Sequence, residues 1–400
     1  MPEQVIELTY DLYSLPTAQH KAGLAGLCVL CNTLERRKVS PLPLITFPEA
    51  GVVKVSITRP AIDLYDAGLE EVSYKVKLKG KNKKERPWLR EEKQTEENPK
   101  TRKPMTVTYY IYPSVIPRAA FLDCLQMQEP WIKLWRNAIW STLRGKPLSR
   151  TPFKERAEGK TVNEAAKAWN SLHKFIKDPS RTEDIASSLY VGAQASNAEK
   201  VPFLGKVDEN LLLHFWPIVM RVFVPEVINN EGKGEFKGFV LAIPEVSDVE
   251  GFIYEYEAMV PKLNPELRGY RPAESVISVP QEGALEYMSA LVRARAQQGD
   301  IAYNISSVEV IHLERRGDNI SILSSSRIPV STEILENYEA IRQNYRHPLF
   351  KKQIIRNLLE GNEWYAGFNR LLSSCDKNWF IGFKTWFPRD ARKHFDIGNR

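Results

Sequence analysis

Cysteine is scarce in this chain, four in 400 residues, too few to hold a fold of that size with a disulfide framework. Histidine is thin as well: six residues, at 20, 173, 214, 312, 347 and 394, stand far apart. Long apolar runs are missing. The longest uncharged helix-like stretch, Ala22 to Leu34, is shorter than the ~20 residues that span a bilayer. The opening MPEQVIELTYDLY carries no charged start, apolar core or small-residue cleavage site of a signal peptide. These absences argue against a secreted disulfide scaffold and a membrane-embedded chain, and a cytoplasmic location is expected.

Catalytic signatures are equally thin. There is no Walker A sequence, no G-x-G-x-x-G after a strand, no H-E-x-x-H and no G-x-S-x-G, the spacings that place phosphates, zinc ligands or a nucleophile. Cys28 and Cys31 form C-x-x-C in the middle of a predicted helix. A redox pair belongs at a helix start, where the dipole lowers the thiol pKa, so these read as small core residues. Asp390, His394 and Asp396 resemble a metal cluster in composition only and read as a solvated basic helix end. No metal, cofactor or catalytic residue is expected.

Apolar residues make up 43% and charged residues 26%, the balance of a folded chain, and the length allows two or three domains. The net charge is +7, and its distribution is uneven. Between Lys75 and Lys103 stand twelve Lys or Arg and five Glu, a net +7, which leaves 44 basic and 44 acidic residues elsewhere. The basicity is local.

Alternation predicts strands over Val5–Tyr13 and Val52–Thr58, with a helix from Ala18 to Lys38 between them. Its apolar stripe is Leu24, Leu27, Cys28, Cys31 and Leu34, the spacing of a buried face. Gly23 and Gly26 weaken a helix by roughly 1 kcal/mol each. Their retention predicts close approach of another backbone. Val72–Leu78 and Met105–Tyr112 alternate as two strands of a long hairpin, and the polar stretch between them reads as a loop or arm. Helices are expected near 118–128, 130–144 and 163–177.

From Val207 a second α/β unit begins, with LLLHFWPIVMRVFVPEV read as strand-rich, a turn at NNEGKGEFKG and a strand FVLAIPEV. Helices over 247–260 and 281–298 follow, then a hairpin over 303–328 turning at Gly317-Asp318-Asn319. From Ser331 the chain turns helical. The expected class is α+β, a mixed α/β N-terminal part with long β-hairpins and a helical C-terminal segment. The expected units are residues 1–205, 206–330 and 331–400.

The strongest chemical signal is for nucleic acid. Lys75 to Arg86 holds seven basic residues and one acidic one. Lys75, Lys77 and Lys79 alternate along a strand, and Lys81, Asn82, Lys83, Lys84 and Arg86 follow. Such an arm binds phosphates by counterion release, and Asn82 or Arg86 can reach a base edge. A second basic stretch, Lys133 to Lys160, supplies Lys146, Arg150, Lys154 and Arg156 as phosphate candidates. Trp131, Trp135 and Trp140 lie at helical spacing beside it and read as core rather than as base-stacking platforms. The terminal helices add Lys351, Lys352, Arg356, Lys384, Arg389, Arg392 and Lys393. His20 and Lys21, at a helix start where free N–H groups attract anions, are candidates for RNA or phosphate contact. The same two residues supply the alternative of a metal-independent RNA-processing enzyme, by acid–base chemistry. A peripheral membrane role is weaker, because the arm has no amphipathic apolar face.

Two stretches carry a family resemblance. LTYDLYSLPTAQHKAGLAGL (Leu8–Leu27) resembles the start of the CRISPR-associated large-subunit family called MYXAN-type, found in type I-B-like systems. PEVSDVEGF (Pro244–Phe252) and GYRPAESVISVPQEGALEYM (Gly269–Met288) resemble that family's second recognisable region. The resemblance extends over about residues 5 to 300, with the arm outside it. It implies a non-catalytic large subunit of Cascade at the crRNA 5′ end, beside the backbone-capping subunit, reading the PAM as duplex and helping to open DNA. The implied partners are crRNA, target double-stranded DNA, and the Cascade backbone, capping and crRNA-processing subunits. A separate small subunit, and a helicase-nuclease or transposition proteins, complete the set. The family's helical bundle would have to fit the 70 residues after Val330, room for three or four short helices.

Overall fold

A computed structural model describes residues 5–38, 40–59, 61–63, 70–79, 90–98, 101–117, 120–142, 164–185, 189–192, 203–229, 233–295, 303–317, 319–374 and 386–398. Val5–Asp11 turns Ile6, Leu8 and Tyr10 inward, as the two-residue period of a strand dictates. It pairs antiparallel with Val52–Thr58, whose other edge pairs with Leu44–Glu49.

Helix Ala18–Arg36 is capped by Thr17, whose side chain accepts from the His20 N–H. Every residue from Ala22 to Cys31 is buried, a far wider face than the expected stripe. Strand Phe239–Val246 and helices Val207–Leu212, Trp216–Val219 and Val249–Met259 pack around it. The glycines permit this. A Cβ on Gly23 would meet the Leu212 carbonyl oxygen, and one on Gly26 the Phe215 carbonyl oxygen, at well under 3.0 Å. The close backbone approach expected from the sequence is therefore found. Cys28 and Cys31 lie in this core, and burial pushes their thiols up, Cys31 to about 12.

At the helix start, the candidate residues His20 and Lys21 both have partners within the chain. His20 is buried, and its Nδ1 lies 2.7 Å from the Thr17 hydroxyl. Lys21 donates to Glu245 at 3.0 Å. Glu245 also accepts from the Ser307 hydroxyl at 2.7 Å and pairs with Arg327. The ammonium thus ties the first helix to three strands of the next sheet.

That central sheet runs Gly234–Phe236, Arg221–Ile228, Phe239–Val246, Ile305–Arg316 and Asn319–Pro329, antiparallel throughout, with Val276–Ile277 added in parallel beside Arg221–Ile228. The first part of the run 211–227, expected to be strand-rich, is instead helical, at the end of Val207–Leu212 and over Trp216–Val219. Its apolar run has no decisive period, and Pro217 suits a helix's first turn. Strand structure begins only at Arg221. The hairpin 305–329 turns at Gly317, φ +61°.

Four helices follow among the described residues: Thr332–Asn344, Pro348–Glu360, Phe368–Ser374 and Phe387–Gly398. The first two are fastened by polar groups of helix Glu282–Arg295. Glu286 accepts from the Tyr338 hydroxyl at 2.6 Å and from Arg342 at 2.9 Å. Glu282 pairs with Lys351 and is 3.2 Å from the Tyr338 hydroxyl. Asp390, expected at a solvated helix end, is instead buried and accepts from the backbone N–H groups of Arg346 and His347 at 2.7 and 2.6 Å. No described helix is long and apolar enough to cross a membrane.

Two stability predictions follow from this core. Gly26→Ala forces a methyl group onto a backbone carbonyl and should cost about 3 kcal/mol or more, the upper range of overpacking, read as a lower urea midpoint. Burial also lowers His20 and His214 from 6.5 to about 4. Below the unfolded value the unfolded chain binds protons that the folded chain refuses, so stability falls as pH drops from 6.5 towards 4. Each imidazole contributes about 1.4 kcal/mol per pH unit in that window. His20→Gln should flatten the slope by that amount, measured by denaturant unfolding between about pH 6 and about pH 5.

Candidate nucleic-acid interface

The basic arm is built on a three-stranded antiparallel sheet, with Pro104–Pro117 in the middle, Glu70–Lys79 on one side and Arg90–Glu97 on the other. The simple hairpin expected from the sequence is thereby corrected. Arg90–Glu97, expected as loop, is a strand in register with Pro104–Ile111. It is REEKQTEE, without an apolar residue, and it forms through backbone pairing and polar contacts such as Tyr109 Oη to Glu96. The distal turn is therefore the one from Asn98 to Lys103, closed by a backbone bond of 2.9 Å.

The register alters where the charge is tethered. Lys77 stands opposite Ile111 and Lys79 opposite Tyr109, while a register shift between Ser73 and Val76 removes Lys75 from the regular ladder. Across the middle strand, Arg90 stands opposite Ile111. Lys79 and Arg90 thus flank one short stretch of the middle strand from opposite sides, offset by two residues and about 12 Å apart by two strand spacings and two residue rises. Lys81, Asn82, Lys83, Lys84 and Arg86 lie outside the described residues, joined to the sheet at these two points rather than at its distal turn. The strand Arg90–Glu97 carries two basic and four acidic residues, and Arg90 already pairs with Glu92 at 2.8 Å. Within the segment the largest cationic excess is the run Lys75–Arg86, seven basic residues against one acidic, with Lys100, Arg102 and Lys103 adding three more at the distal turn.

Helix Glu129–Thr142 buries Trp131 and Trp135, whose indole N–H groups donate to the carbonyls of Asn264 at 2.8 Å and Pro217 at 2.6 Å. Both are core residues, as their spacing suggested. Lys146, Arg150, Lys154 and Arg156 lie outside the described residues, as does Lys384. Of the terminal cations, Lys351 pairs with buried Glu282, Lys393 donates to the Asn344 side chain at 3.0 Å, and Arg389 stacks over Trp386 at 5.1 Å. Burial and the neighbouring Arg356 lower the pKa of Lys352.

His20 is held by Thr17 and Lys21 by Glu245, so the acid–base pair considered for RNA cleavage is engaged internally. No group of three or more His, Cys, Asp or Glu able to hold a metal occurs among the described residues. A cleft of about 380 Å³ separates Asn264–Ser278 from the helices near Arg342 and Lys351, and its charges compensate one another. Arg342 alone meets Glu274 at 2.8 Å and Glu286 at 2.9 Å. Charge counting missed one surface cluster, Phe236 with Tyr270 and Arg271, where Arg271 stacks on both rings. The signal available in the sequence was the tight turn Gly269-Tyr270 in a polar surround.

The two stretches that carry the family resemblance meet in space: Lys21 of the first pairs with Glu245 of the second. No curated protein matches the sequence. Family models do. The type I-B CRISPR Cas8b N-terminal domain matches residues 53–300, and the type I-B CRISPR Cas8b C-terminal domain matches residues 305–399. The matched range includes the arm, which the resemblance had left out, and it begins after the Leu8–Leu27 stretch. It also covers the four terminal helices as a family domain. With a basic arm, a sheet that bears it and matches along nearly the whole chain, this protein belongs to the type I-B CRISPR Cas8b family, the large subunits of type I-B Cascade.

Proposed function

We propose that this chain serves as a non-catalytic large subunit that recognises the PAM in duplex DNA and assists strand opening, so that the guide RNA can pair. Its partners in this reading are crRNA, target DNA and the neighbouring Cascade subunits. The observation that carries the reading is the cationic run Lys75–Arg86 in a family member, which leaves one three-stranded sheet at Lys79 and is followed by the strand that rejoins it at Arg90. Phosphate neutralisation by Lys and Arg supplies affinity without sequence, and base edges supply the short motif. Reading of the remaining target belongs to base pairing. Lys79, Lys81, Lys83, Lys84 and Arg86 are the proposed phosphate contacts, with Asn82 beside them; Lys146, Arg150, Lys154 and Arg156 form the second proposed group.

Replacing Lys81, Lys83, Lys84 and Arg86 with Ala should weaken target binding by the assembled complex. It should also reduce the slope of log affinity against log salt by about 3–4, since each phosphate contact contributes about 0.9. Gel-shift titrations at several salt concentrations, on duplexes with and without a PAM, measure both. An unchanged slope sinks the arm assignment.

A further inference from the structure

The cluster at Phe236, Tyr270 and Arg271 sits where two short hairpins meet. Leu267–Arg268 pairs with Arg271–Pro272 around a two-residue turn, and Gly269 at its tip has φ +69° and open space around it. The base of this turn is firm. Strand Arg271–Pro272 packs against helix Glu129–Thr142, and Arg268 pairs with Glu226 at 2.8 Å. The tip is open. Tyr270 is 68% exposed and Phe236 38% exposed.

Arg271 joins the two rings. Its guanidinium lies 4.2 Å from the Phe236 ring centre and 4.5 Å from that of Tyr270. Among the described residues it makes no side-chain hydrogen bond and no ion pair. A guanidinium held flat by aromatic stacking keeps its planar fork of N–H donors pre-organised, and here that fork is left available. Other surface arginines of this region are engaged: Arg268 meets Glu226, and Arg342 meets Glu274 and Glu286. A ring open to solvent beside an open guanidinium fork matches a nucleotide, whose base stacks on the ring and whose phosphate takes the fork.

We propose that Tyr270 and Arg271, braced by Phe236, form a base-stacking clamp for one unpaired nucleotide of the nucleic acid held by the complex. The proposal rests on the large-subunit reading above and adds to it a contact that charge counting did not single out. Stacking is tolerant of base identity, so the clamp holds a displaced or terminal nucleotide rather than reading a motif.

The test uses the assembled complex with its guide. Single 5-iodouracil substitutions are placed in either DNA strand or in the crRNA, and irradiation is followed by peptide mapping. The expected result is a cross-link at Tyr270, preserved in Tyr270→Phe; the position and strand that give it identify whether DNA or crRNA supplies the nucleotide. Tyr270→Ala and Arg271→Lys should each weaken binding of the strand that cross-links about tenfold, within the range for one lost stack, without altering subunit stoichiometry. Wild-type complex that binds target while both variants match it, with no cross-link at Tyr270, overturns the clamp alone. Variants that fail to join the complex overturn it in favour of a subunit contact. A wild-type complex with no preference for target over unrelated duplex overturns the clamp and the large-subunit reading together.

Discussion

The contact between helix Ala18–Arg36 and the backbone around Leu212 and Phe215 sets the distances on which the rest of the fold depends. A helix with side chains on every face keeps its neighbours 8–10 Å away from its axis. With Gly23 and Gly26 on that face, the carbonyls of Leu212 and Phe215 come into direct contact with the helix. The two short helices there then seat Trp216, Ile218 and Val219 in the core. Their carbonyls serve as acceptors in turn: Tyr256 donates to Ile218 at 2.6 Å, Tyr287 to Val219 at 2.7 Å and Trp135 to Pro217 at 2.6 Å. One close approach thus positions three further helices.

Two buried carboxylates of this framework are met by cations. Glu245 receives Lys21, Arg327 and the Ser307 hydroxyl, and Glu255 receives Arg295. Buried ion pairs contribute little net stability, because desolvation offsets attraction, but removing one partner strands the other at a cost of about 3–5 kcal/mol. Their effect is to fix which helix end meets which strand. The terminal helices follow the same logic, since Tyr338, Arg342 and Lys351 converge on two carboxylates of one helix. Burial and those two carboxylates hold the Tyr338 phenol well above its usual range, so it remains a donor.

Much of this was legible in the sequence, for reasons that differ between elements. The glycine pair announced a close approach because each glycine costs a helix roughly 1 kcal/mol relative to alanine, a cost that contact with another backbone explains. The hairpin 305–329 was legible because alternation and a Gly-Asp-Asn turn agree. Strand Arg90–Glu97 was not, because a polar strand formed by backbone pairing leaves no apolar period to detect. Helices Val207–Leu212 and Trp216–Val219 were misread because a continuous apolar run fits a buried strand and a buried helix alike. At the candidate site, the charge was legible as composition and its tether was not. Register places Lys79 opposite Tyr109 and Arg90 opposite Ile111, two residues apart on the middle strand, and register depends on partners distant in sequence.

The central sheet has a consequence for the order in which the chain can mature. Phe239–Val246 lies in the part matched as the N-terminal domain, while its neighbour Ile305–Arg316 and the next strand Asn319–Pro329 lie in the part matched as the C-terminal one. The two family domains are therefore not separate folding units. During synthesis, Phe239–Val246 has one unpaired edge until about seventy further residues have emerged, roughly 4–14 seconds at typical bacterial elongation rates. An apolar open edge of that kind recruits other strands, so the nascent chain passes through an interval in which this edge is open to wrong pairing until the Ile305–Arg316 strand arrives.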